Sequence, residues 1–135
     1  MTARSADGAT PRVREMNLYR RYLDLVADGG KTVEVRVRYP NLRKLKPGDH
    51  IRFVCGLDGV LTRVKRVTRY SSFEKLLDAE GPQRVDPTST REQQLTEIRR
   101  IYGPEKEALG VLAIEIELVA EPGPSPEIRA QDPAT

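Results

Sequence analysis

The chain has 135 residues, 38% of them hydrophobic, one cysteine and a formal net charge of +3. No apolar run approaches the ~18 residues of a spanning helix, and the N-terminus carries no apolar stretch of signal-peptide type. Cys55 has no internal disulfide partner, so the expected setting is a reducing cytoplasm and the expected core is held by packing alone.

Residues 1–12 and 120–135 are polar or proline-rich and too poor in apolar residues to offset chain entropy, so both are expected to be unstructured tails around one domain at 13–119. "VREMNL", residues 13–18, reads as a short strand. "YRRYLDLVADG" follows as a helix with an apolar stripe of Tyr22, Leu23, Leu25 and Val26, stopped by Gly29. "KTVEVRVR", residues 31–38, alternates with period two. Val33, Val35 and Val37 share one face; Thr32, Glu34, Arg36 and Arg38 share the other. A basic loop ends in a Pro-Gly-Asp turn, and "HIRFVC" is the next strand, with Ile51, Phe53 and Cys55 on its apolar face.

"GLDG" is a hairpin connection into a strand over residues 60–69, whose parity changes between Val64 and Val67. That odd step predicts a β-bulge near Lys65 and Arg66. "SSFEKLLDAEG" reads as a helix capped by Ser71 with Glu74, with Phe73, Leu76 and Leu77 inward. After a proline-containing loop at 81–88, a second capped helix runs from Ser89 with Glu92 to Gly103, with Leu95, Ile98 and Tyr102 inward. "EKEALG" adds a turn, and "VLAIEIEL", residues 111–118, is a strand with Leu112, Ile114, Ile116 and Leu118 on one face. Five strands and three helices, not alternating, and joined in part by a hairpin, give an α+β class: a small, partly open barrel with packed helices.

Several chemistries are excluded. A structural zinc site needs about four Cys or His ligands, and the chain has one of each. His50 and Cys55 fall on opposite faces of one strand, which rules out a dyad. No glycine-rich phosphate loop opens a helix, and no cofactor or metal is expected. Glu115 and Glu117 lie about 7 Å apart on one strand face; such pairs are ordinary on strands that meet water.

Charge points to a partner. Residues 31–69 hold eleven Lys or Arg against three Asp or Glu, a local charge of +8 that leaves −5 for the rest. Such a block suits an anionic ligand, nucleic acid above all, although a skewed solvated surface would look the same. Within it, Gly29 and Gly30 allow a sharp turn that delivers Lys31 toward the polar face of Glu34 and Arg36. A guanidinium forks onto phosphate or a carbonyl, and a carboxylate accepts from an exocyclic amine. The same triad could equally be a charge-paired surface strand. Arg38, Tyr39 and Tyr70 complete the candidate surface, the tyrosines as stacking platforms.

"GGKTVEVRV" resembles the G-x-K-x-x-E-x-R signature of the ASCH domain, a branch of the PUA-like superfamily, through Gly29, Lys31, Glu34 and Arg36. "REMNL", "LKPGDHIRF", "VTRYSSFEKLL" and "IRRIYGPEKEALGVLAIEIEL" resemble further blocks of that family in the same order. The resemblance implies a PUA-like β-barrel of five to six mostly antiparallel strands with about three flanking helices. It also implies a basic cleft lined by the signature residues, and single-stranded RNA or a modified nucleotide as partner, with no membrane. Some relatives are nucleic-acid hydrolases, and one group deacylates a modified cytidine. An alternative is therefore a small hydrolase in which Lys31, with Glu34, is catalytic. Lys31 matches the lysine of the deacylases, and Glu34 stands where they have a second threonine.

Overall fold

The computed structural model describes residues 13–120. The tails expected at 1–12 and 120–135 lie, Ala120 apart, outside the described residues. The elements follow the chain as β1 (Val13–Asn17), α1 (Arg20–Ala27), β2 (Val33–Val37), a 3-10 turn (Pro40–Leu42), β3 (His50–Cys55) and β4 (Asp58–Tyr70). Then come α2 (Phe73–Glu80), α3 (Pro82–Val85), α4 (Arg91–Ile101), α5 (Pro104–Glu107) and β5 (Val111–Leu118).

The strands form one sheet in the order β1-β3-β4-β5-β2, antiparallel except for the β1–β3 pair. The fold is thus α+β, a five-stranded curled half-barrel with three substantial helices, α1, α2 and α4, around it. No helix among the described residues is long and apolar enough to cross a membrane.

The long strand β4 makes the curl possible. Its first half pairs with β3 and most of its length pairs with β5, with a register shift between Val64 and Arg66. The extra residue, Lys65, is the bulge that the parity change predicts. A bulge bends its strand and adds twist, which turns β5 and β2 back toward β1. Thr62 and Val64 point inward before it, and Val67 packs inward after it. The β3–β4 hairpin is tighter than "GLDG" implies. Cys55 pairs directly with Asp58, so only Gly56 and Leu57 form the loop, and Gly56 supplies the positive φ of 62° that a two-residue turn needs at its first position.

Two apolar clusters sandwich the sheet. One fills the barrel between α1 and the strands with Leu23, Val26, Ile51, Phe53, Val64, Leu112, Ile114 and Ile116. The other lies under α2 and α4 on the outer face of β2 and β5, and contains Val33, Val37, Phe73, Leu76, Leu77, Val111 and Ala113. β5 is therefore buried on both faces over most of its length, and only Leu118 of its predicted inner row runs out to solvent.

Both helix caps sit one residue beyond their predicted places. Ser72, not Ser71, accepts from the Lys75 amide at 3.1 Å. Thr90 and Gln93, not Ser89 and Glu92, form the reciprocal box of α4. Each region offers adjacent hydroxyls, and the apolar contacts of the helix decide which one lands at the cap. Ser89 is engaged elsewhere, where its hydroxyl accepts from Arg21. The loop at 81–88 is also shorter than expected, because Pro82 opens the single-turn α3. An N-cap of this kind contributes about 1 kcal/mol. Ser72→Ala is expected to lower unfolding stability by about that amount, and Ser71→Ala to change it by a few tenths at most, as read by urea denaturation.

Candidate functional site

The polar face of β2 turns inward. Glu34 pairs across the sheet with Ile114 and Arg36 with Leu112, residues of the barrel interior, whereas Val35 pairs with Ala113 of the helix-side cluster. The valine row lies under the helices, and the charged row sits at the open seam of the half-barrel, between edge strands β2 and β1.

The glycine turn sets this up. α1 ends at Ala27, and the turn after it passes through Gly29, whose φ of 85° belongs to glycine. At Gly30 an added Cβ would approach Asp28 Oδ1 to 3.0 Å, the atom that accepts from the Gly30 amide. The Lys31 amide then donates to Leu25 O, and its side chain runs into the protein, only 4% exposed. Its Nζ donates to Val33 O at 2.9 Å and Val85 O at 3.1 Å, and meets Glu34 Oε1 at 3.2 Å. Three acceptors match the three N–H donors of an ammonium. The other carboxylate oxygen, Oε2, accepts from Arg36 Nε at 2.5 Å, and Arg36 Nη2 reaches the Asn17 carbonyl at 2.8 Å. A side chain from one edge strand thus bonds the end of the other, and closes in part a seam that no backbone ladder closes.

Burial alone would push the Glu34 carboxyl up, but the Lys31 ammonium and the Arg36 guanidinium outweigh it and hold the group below its ordinary value. Burial raises the Tyr102 hydroxyl, against a smaller opposing effect of Arg36.

A cleft of about 340 Å³ opens at this seam. Lys31, Glu34 and Arg36 stand at its polar side; Tyr19, Tyr22 and Tyr102 give it aromatic walls; Ile98, Gln94 and Glu97 come from α4. Tyr102 is held from behind by Phe73, with rings stacked 5.9 Å apart, and by Tyr39 at 6.5 Å. The main chain contributes too. Ile116 N–H donates to Thr32 O and Arg38 N–H to Gly110 O, so the even-numbered residues of β2 bond to β5 and the odd ones face the free edge. Val33 O is taken by Lys31, whereas Val35 lines the cleft with its N–H and C=O free of protein partners among the described residues.

Of the residues singled out from the sequence, the fold brings Lys31, Glu34 and Arg36 together. Gly29 and Gly30 shape the approach without lining the cleft. Arg38 is not in the lining, and Tyr39 supports Tyr102 instead of facing the opening. Tyr70 stands apart: its hydroxyl donates to Glu80 Oε2 at 2.6 Å, within a network that joins Glu80 to Arg66 and Arg66 to Glu115.

The cleft is also less basic than the charge block suggests, since Lys31 and Arg36 are matched by Glu34 and Glu97. Other cations of the block are neutralised locally, as in Arg63 with Glu117 and Arg66 with Glu80 and Glu115. Glu115 and Glu117 are thereby accounted for as ion-pair partners. Tyr22, Tyr102 and Gln94 are cleft residues that the sequence pattern does not single out; helical periodicity assigns both tyrosines to the apolar stripes.

Removing one member of a buried pair leaves an uncompensated charge, at a cost of about 3–5 kcal/mol. Lys31→Ala is expected to lose stability on that scale in denaturant titrations at pH 7. The Glu34 carboxyl is held below its ordinary value of 4.5, so its contribution is present above that pH and is lost as pH falls through the folded value. The stability gap between wild type and Glu34→Gln should therefore shrink on acidification below that point, measured from pH 7 to pH 3.

A model of the ASCH domain matches residues 16–120. Two solved structures resemble the chain at 37% identity. The crystal structure of hypothetical protein PH0355 covers 79% of this chain and 99% of its own, with a TM-score of 0.73. The solution structure of protein PF0455 from Pyrococcus furiosus covers 81% and 99%, with a TM-score of 0.67. The ASCH protein from Zymomonas mobilis, at 14% identity, shares the fold with a TM-score of 0.58, over 78% of this chain and 67% of its own. A search of curated proteins returned no match.

Proposed function

The chain belongs to the ASCH domain family of the PUA-like superfamily, and from that premise we propose that its seam cleft binds single-stranded RNA or a modified nucleotide. The observation that carries the reading is the composition of the cleft: three tyrosines and a guanidinium that is only partly engaged share its lining. An unpaired base stacks on such rings whatever its identity, at about 1–3 kcal/mol per base. Arg36 spends Nε and one Nη2 hydrogen on the protein, and Nη1 has no partner among the described residues. It is the natural donor for a phosphate or base carbonyl.

The alternative is hydrolysis of RNA or of an acylated nucleoside by Lys31 and Glu34. Both line the cleft, which favours it. Against it, Lys31 Nζ already meets three acceptors and both Glu34 oxygens are occupied, so acid–base work would first have to break the contacts that hold the seam. Binding is the better account, with Lys31 and Glu34 as positioning residues for Arg36.

Fluorescence anisotropy with short single-stranded RNAs tests this. Tyr102→Leu removes the ring and keeps an apolar wall; Arg36→Lys keeps charge and loses the fork. Each is expected to weaken binding about tenfold or more, in line with the loss of one stacked base or one charge-assisted contact, and added salt should weaken the wild-type complex. Unchanged affinity in both folded variants would remove the cleft as the binding site. Product formed from RNA or an acylated nucleoside by the wild-type protein would favour hydrolysis instead.

A further inference from the structure

The positive charge of residues 31–69 is not matched evenly. Lys31 and Arg36 meet Glu34, Lys46 meets Asp49, Arg63 meets Glu117, and Lys65 and Arg66 meet Glu115. Arg38, Arg43, Lys44 and Arg69 make no ion pair among the described residues. The fold gathers these at one end of the half-barrel, where β2 and β4 finish and β5 begins. There Val111, the first residue of β5, pairs with Val37 on one side and with Tyr70 on the other.

The register ties Arg38 to Arg69. Arg36 and Arg69 both pair with Leu112, one from each side of β5, and the Arg38 amide donates to Gly110 O at 2.9 Å. Residues opposite each other in a sheet share a face, as do residues two apart on one strand. Arg36, Arg38 and Arg69 therefore project from the face of Leu112, and the residue between Arg38 and Arg69 has no side chain. The Arg69 guanidinium takes that space: a Cβ at Gly110 would lie 3.0 Å from its Nε. Arg43 and Lys44 stand on the loop that closes this end. Leu42 and Leu45 are buried in the barrel cluster, and the two cations between them are exposed. Arg69 is exposed and Arg38 half-buried, so none of the four is shut off from solvent.

A single exposed arginine needs no partner beyond water. Neighbouring cations with no carboxylate among them add their fields and draw an anion that bridges them. Guanidinium forks suit phosphate oxygens, which accept two parallel N–H bonds.

We propose that Arg38 and Arg69, with Arg43 and Lys44 beyond them, form a phosphate-binding track for the backbone of a single-stranded RNA whose base occupies the cleft. This rests on the nucleotide-binding reading above and deepens it. The track adjoins the cleft, because Arg38 follows Arg36 by two residues on one strand face, about 7 Å along. Backbone contacts position a strand without reading its sequence. The cleft then takes the base, and the track adds affinity that grows with the length of the strand.

The test is fluorescence anisotropy with a dinucleotide and a decanucleotide over a salt series, alongside NMR titration with the matching nucleoside. The decanucleotide should bind the wild type about tenfold tighter or more than the dinucleotide, with a steeper dependence on salt. Arg38→Gln and Arg69→Gln should each flatten the slope of log K against log salt for the decanucleotide by about 0.7, weaken it about tenfold at low salt, and leave the nucleoside unaffected. Arg63→Gln removes the same charge from a matched pair and should leave the slope unchanged. The wild-type length dependence stands even where a variant fails to fold. Equal affinity and slope for the two oligonucleotides, or slopes in the folded Arg38 and Arg69 variants equal to that of Arg63→Gln, would overturn the proposal. Tighter binding of an oligoglutamate of equal charge would assign the patch to an acidic protein and overturn it too. If the nucleoside binds and the longer strand gains nothing, the track alone falls. If neither nucleoside nor RNA binds, the nucleotide reading of the cleft falls with it.

Discussion

The structure depends on a buried line of charge: the Lys31 ammonium, the Glu34 carboxylate and the Arg36 guanidinium, ending on the Asn17 carbonyl. Taking such groups out of water is expensive, and apolar replacements of similar volume often give equal or better stability. Its value here lies in where it runs. The sheet is a ribbon with two free edges, β1 and β2, and backbone pairing does not join them. An apolar seam would collapse shut. A directional chain of hydrogen bonds fixes the two edges to each other at one point and leaves a gap of defined width beside it.

This explains why the alternation in "KTVEVRVR" was legible as a strand but silent as to direction. Period two says that Val33, Val35 and Val37 share a face, and they do. The usual corollary, that the apolar row faces the barrel and the charged row faces solvent, assumes that only one side of the strand is covered. Here α2 and α4 bury the valine side, and the interior side opens on the cleft. Nothing local to β2 carries that information, because it depends on helices supplied some forty to sixty residues later.

The elements themselves were largely readable, since each carries its own punctuation: glycine after α1, the parity break at Lys65, and hydroxyls before α2 and α4. Those signals locate an element but leave its end uncertain by one residue wherever two capping residues are adjacent, as at Ser71–Ser72 and Ser89–Thr90. The site was readable only where it is compact in sequence. Lys31, Glu34 and Arg36 lie within six positions and show up as a cluster. Tyr22 comes from α1 and Gln94 and Tyr102 from α4 and its C-terminal cap, far apart in sequence from the motif, and each has an ordinary reading as core or surface until tertiary packing sets it in the lining. Tyr70 stands outside the cleft for a converse reason. A tyrosine next to a basic stretch looks available for ligand, but the hydroxyl found Glu80, a partner equally invisible to local pattern.

Recognition in this fold therefore has to come from outside the residues that make the sequence distinctive. Lys31 and Glu34 are satisfied by each other, by Arg36 and by main-chain carbonyls, and a group whose hydrogen bonds are already made has little left to offer a ligand. Only the outer part of Arg36 remains. What the cleft has left belongs to the tyrosine rings, Tyr102 at the end of α4 among them, and to the free edge of Val35. On the binding reading proposed above, the charged motif sets the shape of the opening, and the helix that walls it bears on what enters. Changes in α4 could then alter ligand preference while leaving the seam intact, whereas a change in the motif would disturb the opening itself.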